Sequence, residues 1–285
     1  MFRAFYGFTR DPFSITPDPN FLYLSDTHRE ALAHLIYGID TKKGFIVVTG
    51  EIGVGKTTIV NALLQRLDGT KAITAFIFNT NLTPPDFYQL ISDELGLHKP
   101  ASKAEFLLTL NNFLVMCHAK GDGPVVLIFD EAHNLNDELL EEIRLLLNLE
   151  THREKLLQIV LSAQPELWKR LKEPSMRALR QRIVLQYRLN PLGEKDTDGY
   201  VRMRIKEAGG HTNIFTDKAL KKIHRYSGGI PRLINLLCTH ALIAAYVTGQ
   251  ESISAKAIKG VAKDLELDGA GLFRSKPTKY RKDRF

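Results

Sequence analysis

From Gly44 onward, short apolar runs alternate with longer segments in which apolar positions return every three or four residues. This is the pattern of α/β units. The strand-like runs fall at 45–49, 72–78, 125–129, 157–161 and 183–189, and helices are predicted to begin near Lys56, Pro85, Ala104, Asp137 and Pro165. The runs are short, continuous and β-branched, so they predict a parallel five-stranded sheet covered on both faces, an αβα sandwich. After Pro191 the strand pattern stops. Helical patterns near 195–208, 217–226, 231–247 and 254–266 predict a second, all-α subdomain from about Leu192. Ahead of the sheet lies a Pro-rich aromatic stretch, PFSITPDPNFLYLS, then a helix from Thr27 to about Asp40 with Ser25 or Asp26 as its cap. The expected organisation is a lead segment at 1–43 packing on an α/β core at 44–191, a helical subdomain at 192–267 and a basic tail at 268–285.

Composition adds exclusions. With 285 residues, 44% hydrophobic and 25% charged, the chain is neither disordered nor fibrous and can bury a sizeable core. Its longest apolar runs, 125–129 and 241–247, fall far short of the ~18 residues of a membrane-spanning helix. The N-terminus lacks the apolar stretch of a signal peptide. Cys117 and Cys238 have no metal or redox spacing, and the nine histidines contain no HExxH pair. A reduced, cytoplasmic protein without a zinc site is the expectation. The net charge of +7 is concentrated at the end, where Arg274, Lys276, Lys279, Arg281, Lys282 and Arg284 face one acid, Asp283. Such a tail suits nucleic acid or the anionic inner face of a membrane, and equally a solvated end.

The chemistry concentrates at Gly50-Glu51-Ile52-Gly53-Val54-Gly55-Lys56-Thr57, followed by Thr58. This fits G-x-x-x-x-G-K-[ST] without mismatch, with a β-branched strand running in and a helix running out. Glycines let backbone N–H groups wrap phosphates, and the helix N-terminus adds partial positive charge. Lys56 suits the β and γ phosphates of ATP, and the Thr57 hydroxyl suits Mg²⁺. A second apolar strand, VVLIF, ends in Asp130-Glu131. Open α/β sheets place ligands at that end of a strand, so Asp130 suits the metal through water and Glu131 suits polarising an attacking water.

Further polar residues sit at neighbouring strand ends. Gln164, after the strand LQIVLSA, either senses the γ-phosphate or caps the helix that begins at Pro165. Asn79 either holds Glu131 in an inactive pose or forms a turn. Arg177, Arg180 and Arg182 precede the fifth strand, where one of them, Arg182 by preference, suits a positive group supplied in trans. Arg232 follows Gly228-Gly229-Ile230-Pro231 at the start of a helix in the α-subdomain.

These motifs, in this order, resemble the AAA+ superfamily of P-loop NTPases. The stretches FYGFTRDPFSITPDPNFLYLSDTHREAL, GFIVVTGEIGVGKTT, IFDEAHNL, SAQPEL, LRQRI and GGIPRLIN further resemble the secretion-pathway ATPase A family over about residues 1–267. The resemblance implies an AAA+ fold with a C-terminal helical lid, Walker A and B motifs, sensor 1 at Gln164, an arginine finger near Arg182 and sensor 2 at Arg232. It implies ATP and Mg²⁺ as cofactors, an ATP-dependent homo-oligomer, ring or filament, and a lead segment in which Tyr23 to His28 flanks the adenine. Members of that family continue through a membrane span into a peptidoglycan-binding region, where this sequence continues only into its basic tail. Three readings follow: a soluble relative from pilus biogenesis, a chain ending before the span, or an ATPase that recruits a transposase on DNA.

Overall fold

The computed structural model describes residues 2–14, 21–78, 81–151 and 154–267; Asn79 and the basic tail lie outside the described residues. In chain order the elements are α1 (Phe2–Phe5), α2 (Asp26–Asp40), β1 (Phe45–Gly50), α3 (Lys56–Asp68), β2 (Ile73–Ile77), α4 (Pro84–Glu94), α5 (Lys103–Lys120) and β3 (Val125–Phe129). There follow α6 (Asp137–Leu146), β4 (Leu157–Ala163), α7 (Pro165–Leu171), α8 (Arg177–Arg180) and β5 (Leu185–Leu189). The chain ends its described part with α9 (Glu194–Glu207), α10 (Asp217–Ser227), α11 (Pro231–Val247) and α12 (Ala255–Asp264). Two compact units divide it: Leu24–Asn190, and Met1–Tyr23 together with Pro191–Phe285.

In the first unit the five strands form one parallel sheet in the order β2-β3-β4-β1-β5. The three inner strands are buried throughout, which is why their sequences are predominantly apolar, with Thr49, Gln158 and Ser162 as buried polar positions. β4 extends past the expected 161 to Ala163, because Ser162 and Ala163 stay paired with Val48 and Thr49. On one face, Phe45, Val47, Leu127, Phe129, Ile159 and Leu161 pack with Phe87, Ile91, Phe106 and Leu110 from α4 and α5. The Phe87 ring stacks on Phe129 with centroids 5.7 Å apart, and each such side chain stabilises the unit by roughly 1.5–3 kcal/mol on burial. At the β2 edge, the Phe76 N–H donates to Glu94 Oε2 at 3.2 Å, so a side chain occupies a donor that another strand would otherwise find. Because β4 lies between β3 and β1, the carboxyl ends of all three reach one edge side by side, and that edge carries the candidate site.

The second unit packs α9 to α12 around Tyr200, Ile205, Phe215, Ile223, Ile234, Leu237 and Cys238. The lead segment divides differently from the expectation that 1–43 packs on the α/β core as one piece. Tyr6, Phe8, Phe13 and Phe21 belong to the helical core, and the α/β unit begins only at Leu24. The reason is a clamp: the buried Arg204 guanidinium donates to the Pro12 and Ser14 carbonyls (the latter at 3.1 Å) and to Tyr200 Oη at 2.9 Å. Its planar group also lies 4.6 Å from the Phe21 ring centroid. The turn between α10 and α11 depends on Gly229. Its φ is +78°, and a Cβ there would stand 2.0 Å from the Leu192 carbonyl oxygen. Ile230 and Pro231 then open α11, as Pro favours at a first helical position.

Candidate functional site

β1 runs into the loop at Gly50, and the loop ends at Gly55, the N-cap of α3, with φ 105° and ψ 21°. That conformation is closed to residues with a Cβ. With glycine as the cap, no side chain closes the first turn of α3, which leaves its N–H groups to an anion. Lys56 begins that helix and is 5% exposed, its Nζ donating to the Glu51 carbonyl at 3.3 Å. Burial pushes its ammonium below the ordinary lysine pKa, and Glu131, then Asp130, Glu51 and Glu166, pull it back. Ile52 is exposed on the loop, Val54 is buried beneath it, and Glu51, Gly53 and Thr58 are half-buried.

Asp130 is the hub of the carboxylate strand. Its Oδ2 accepts from Thr57 Oγ1 at 2.7 Å, and its Oδ1 accepts from Ser162 Oγ at 2.7 Å and from the Glu131 N–H at 3.0 Å. One carboxyl group therefore ties the end of β3 to β4 and to the first turn of α3. Glu131 has φ 50° and ψ 35°, the left-handed region, at a cost of order 1–3 kcal/mol for a residue with a Cβ. Its Oε2 lies 3.5 Å from Gln164 Nε2 and 3.3 Å from His133 Nδ1. Gln164 Nε2 also lies 2.8 Å from His133 Nε2. An amide nitrogen only donates, so the neutral His133 ring accepts at Nε2 and carries its proton on Nδ1. Among the described residues that buried Nδ1 has no aligned hydrogen-bond acceptor, although the Glu131 carboxylate is close enough for Coulombic attraction.

Sequence reasoning missed His133, Ser162 as an Asp130 donor, and Arg170. Arg170 donates to the His133 and Leu135 carbonyls at 3.1 and 2.8 Å and to Asp137 Oδ1 at 2.6 Å, fixing the loop after Glu131. Only the composition of IFDEAHNL could have pointed to His133; nothing marked Arg170.

Among the arginines, Arg177 is exposed, Arg180 donates to the Lys172 carbonyl at 3.4 Å, and the half-buried Arg182 donates to the Leu147 carbonyl at 3.3 Å. Arg232 is exposed on the first turn of α11, in the helical unit. Tyr23 also belongs to the helical unit, with its hydroxyl 3.3 Å from Asp196 Oδ1 and its ring edge-on to Tyr200. His28 belongs to the α/β unit, buried behind the loop with both ring nitrogens engaged.

The AAA domain family matches residues 39–171 of the chain. Over 255 residues, 89% of this chain, it is 48% identical with General secretion pathway protein A of Aeromonas hydrophila. The chain belongs to the AAA+ superfamily. It spans 46% of the length of that relative. Solved structures share the fold. ORC2 of Aeropyrum pernix, in its ADPNP-ADP complexes, matches with a TM-score of 0.67 and 16% identity over 93% of this chain and 74% of that one. Cdc6p of Pyrobaculum aerophilum matches at 0.68 and 20% over 90% and 71%. The RuvB Holliday junction branch migration motor of Thermotoga maritima matches at 0.56 and 16% over 88% and 72%. Among the described residues of this AAA+ protein, no helix is long and apolar enough to cross a membrane.

Proposed function

We propose that this AAA+ protein binds ATP with Mg²⁺ at residues 50–58 and hydrolyses it to ADP and phosphate. In this reading it works as a homo-oligomer, ring or filament, whose nucleotide state is coupled to assembly of a secretion or pilus component. One observation carries the proposal: the Thr57 hydroxyl of the loop and the Asp130 carboxylate of the neighbouring motif meet at 2.7 Å. A hydroxyl and a carboxylate are hard oxygen donors that fit Mg²⁺, an ion usually completed by waters and substrate phosphates. Thr57 and Asp130 would hold the ion, which when bound neutralises charge on the β and γ phosphates.

The chain's own groups do the rest. Backbone N–H groups of the loop and Lys56 Nζ bind the phosphates. Glu131 takes the proton of the attacking water at a carboxylate oxygen, and Gln164 Nε2 donates to the γ-phosphate. Arg232, and in trans one of Arg177, Arg180 and Arg182, add positive charge as the transition state forms. The name of the Aeromonas relative supports the secretion reading over the transposase one.

The test separates binding from turnover. Lys56→Ala is expected to lose ATP binding, whereas Glu131→Gln binds ATP and does not hydrolyse it. Wild-type hydrolysis by Glu131→Gln would remove Glu131 from the role of base.

A further inference from the structure

Both ring nitrogens of His28 are spent inside the protein. Nε2 lies 3.0 Å from the Val54 carbonyl oxygen and Nδ1 lies 2.6 Å from Ser25 Oγ, with the residue only 3% exposed. A carbonyl only accepts, so Nε2 carries a proton and donates; in the tautomer protonated at Nε2 alone, Nδ1 accepts from the Ser25 hydroxyl. Ser25 is also the N-cap of α2, its Oγ accepting from the His28 N–H at 3.4 Å. The ring is thus anchored to the start of a helix on one side and to the loop on the other.

Val54 stands one residue before the N-cap of α3. Because the peptide is planar and trans, the Val54 C=O and the Gly55 N–H point in opposite directions. Holding the carbonyl toward His28 therefore turns the Gly55 N–H the other way. Glycine at φ 105° puts little steric resistance in the way of rotation of this peptide, so an external restraint has something to do. Ring and loop are also fitted sterically, since a Cβ on Gly55 would come 2.8 Å from His28 Nε2.

We propose that His28 is a positioning residue of the nucleotide site: its bond to the Val54 carbonyl locks the 54–55 peptide with the Gly55 N–H presented to the phosphates. His28 then sets affinity for nucleoside di- and triphosphates irrespective of the base, in place of the adenine-flanking role that the resemblance implied. The inference rests on residues 50–57 being a phosphate loop.

The experiment measures dissociation constants of the full chain for ADP and GDP by titration calorimetry. His28→Ala is expected to weaken both by about tenfold, as loss of one buried hydrogen bond does, leaving their ratio unchanged. His28→Gln, whose side-chain amide reaches the place of Nε2, is expected to return both to within about threefold of wild type. If His28→Ala does not fold, His28→Asn takes its place, being too short to reach Val54. Unchanged affinity in the Ala or Asn variant overturns the proposal, as does an equal loss in folded His28→Gln. A shift in the ADP to GDP ratio would assign His28 to the base instead. A wild-type protein that binds no ADP, or Lys56→Ala that binds it normally, would remove the phosphate-loop reading itself.

Discussion

Gln164 and His133 face each other nitrogen to nitrogen at 2.8 Å, and the direction of that bond places the other ring proton beside the Glu131 carboxylate. One amide thereby reaches Glu131 twice, directly at 3.5 Å and through the imidazole. A γ-phosphate drawing on Gln164 would compete with both contacts.

His133→Ala removes the acceptor of the Gln164 amide and the N–H beside Glu131, yet touches neither Lys56 nor Thr57. In steady-state ATPase assays kcat is expected to fall about tenfold, near 1.4 kcal/mol of barrier, with KM for ATP little changed. A raised KM at constant kcat would place His133 in ground-state binding.

Lys56 supplies a pH prediction. Its folded-state pKa lies below the unfolded value because burial penalises the ammonium. The unfolded chain therefore binds more protons between the two pKa values, and stability of the nucleotide-free protein rises with pH through that window. Below the window the full penalty applies, so Lys56→Met at neutral pH is expected to melt no lower than wild type while losing nucleotide. Nucleotide affinity of the wild type should decline with rising pH before the ordinary lysine range is reached. A markedly lower melting temperature for Lys56→Met would show that the ammonium stabilises the unit rather than burdening it.

An arginine that acts across a subunit boundary reports itself in mixtures. Arg182→Ala is expected to bind ATP without hydrolysing it, and mixing with excess Glu131→Gln should restore part of the activity at mixed interfaces. Normal hydrolysis by Arg182→Ala, with activity lost in Arg177→Ala or Arg180→Ala, would move the role to one of those two. The bond from Arg182 to the Leu147 carbonyl makes this comparison informative, since that bond must break before the guanidinium can reach outward.

The sheet and the phosphate loop were legible in the sequence because their signals are local. An apolar β-branched run needs burial on two faces wherever it lies, and the loop glycines and Lys56-Thr57 declare a backbone shape by themselves. Arg170 was illegible because its three acceptors sit between 33 and 37 positions away and nothing in PELWKRL marks one cation as inward-facing. His28 was seen but given a ligand-facing place, since a sequence shows a histidine near a site without showing which way its nitrogens are turned. The lead segment was misdivided for a similar reason: its aromatics announce burial, but the partners that say against which core, Arg204 and Phe215 among them, lie some 190 or more positions away.

The Arg204 clamp also bears on how the chain is made. It joins Pro12 and Ser14 to a helix that the ribosome reaches only after all of Leu24–Asn190 has been translated. At the usual pace of about 5–20 residues per second that interval lasts on the order of ten seconds or more. The α/β unit is uninterrupted in sequence and can finish during it, whereas Phe8, Phe13 and Phe21 must wait with their rings uncovered. The newborn chain therefore carries an aromatic stretch whose packing partners in the helical unit are still to be translated when the α/β unit is complete.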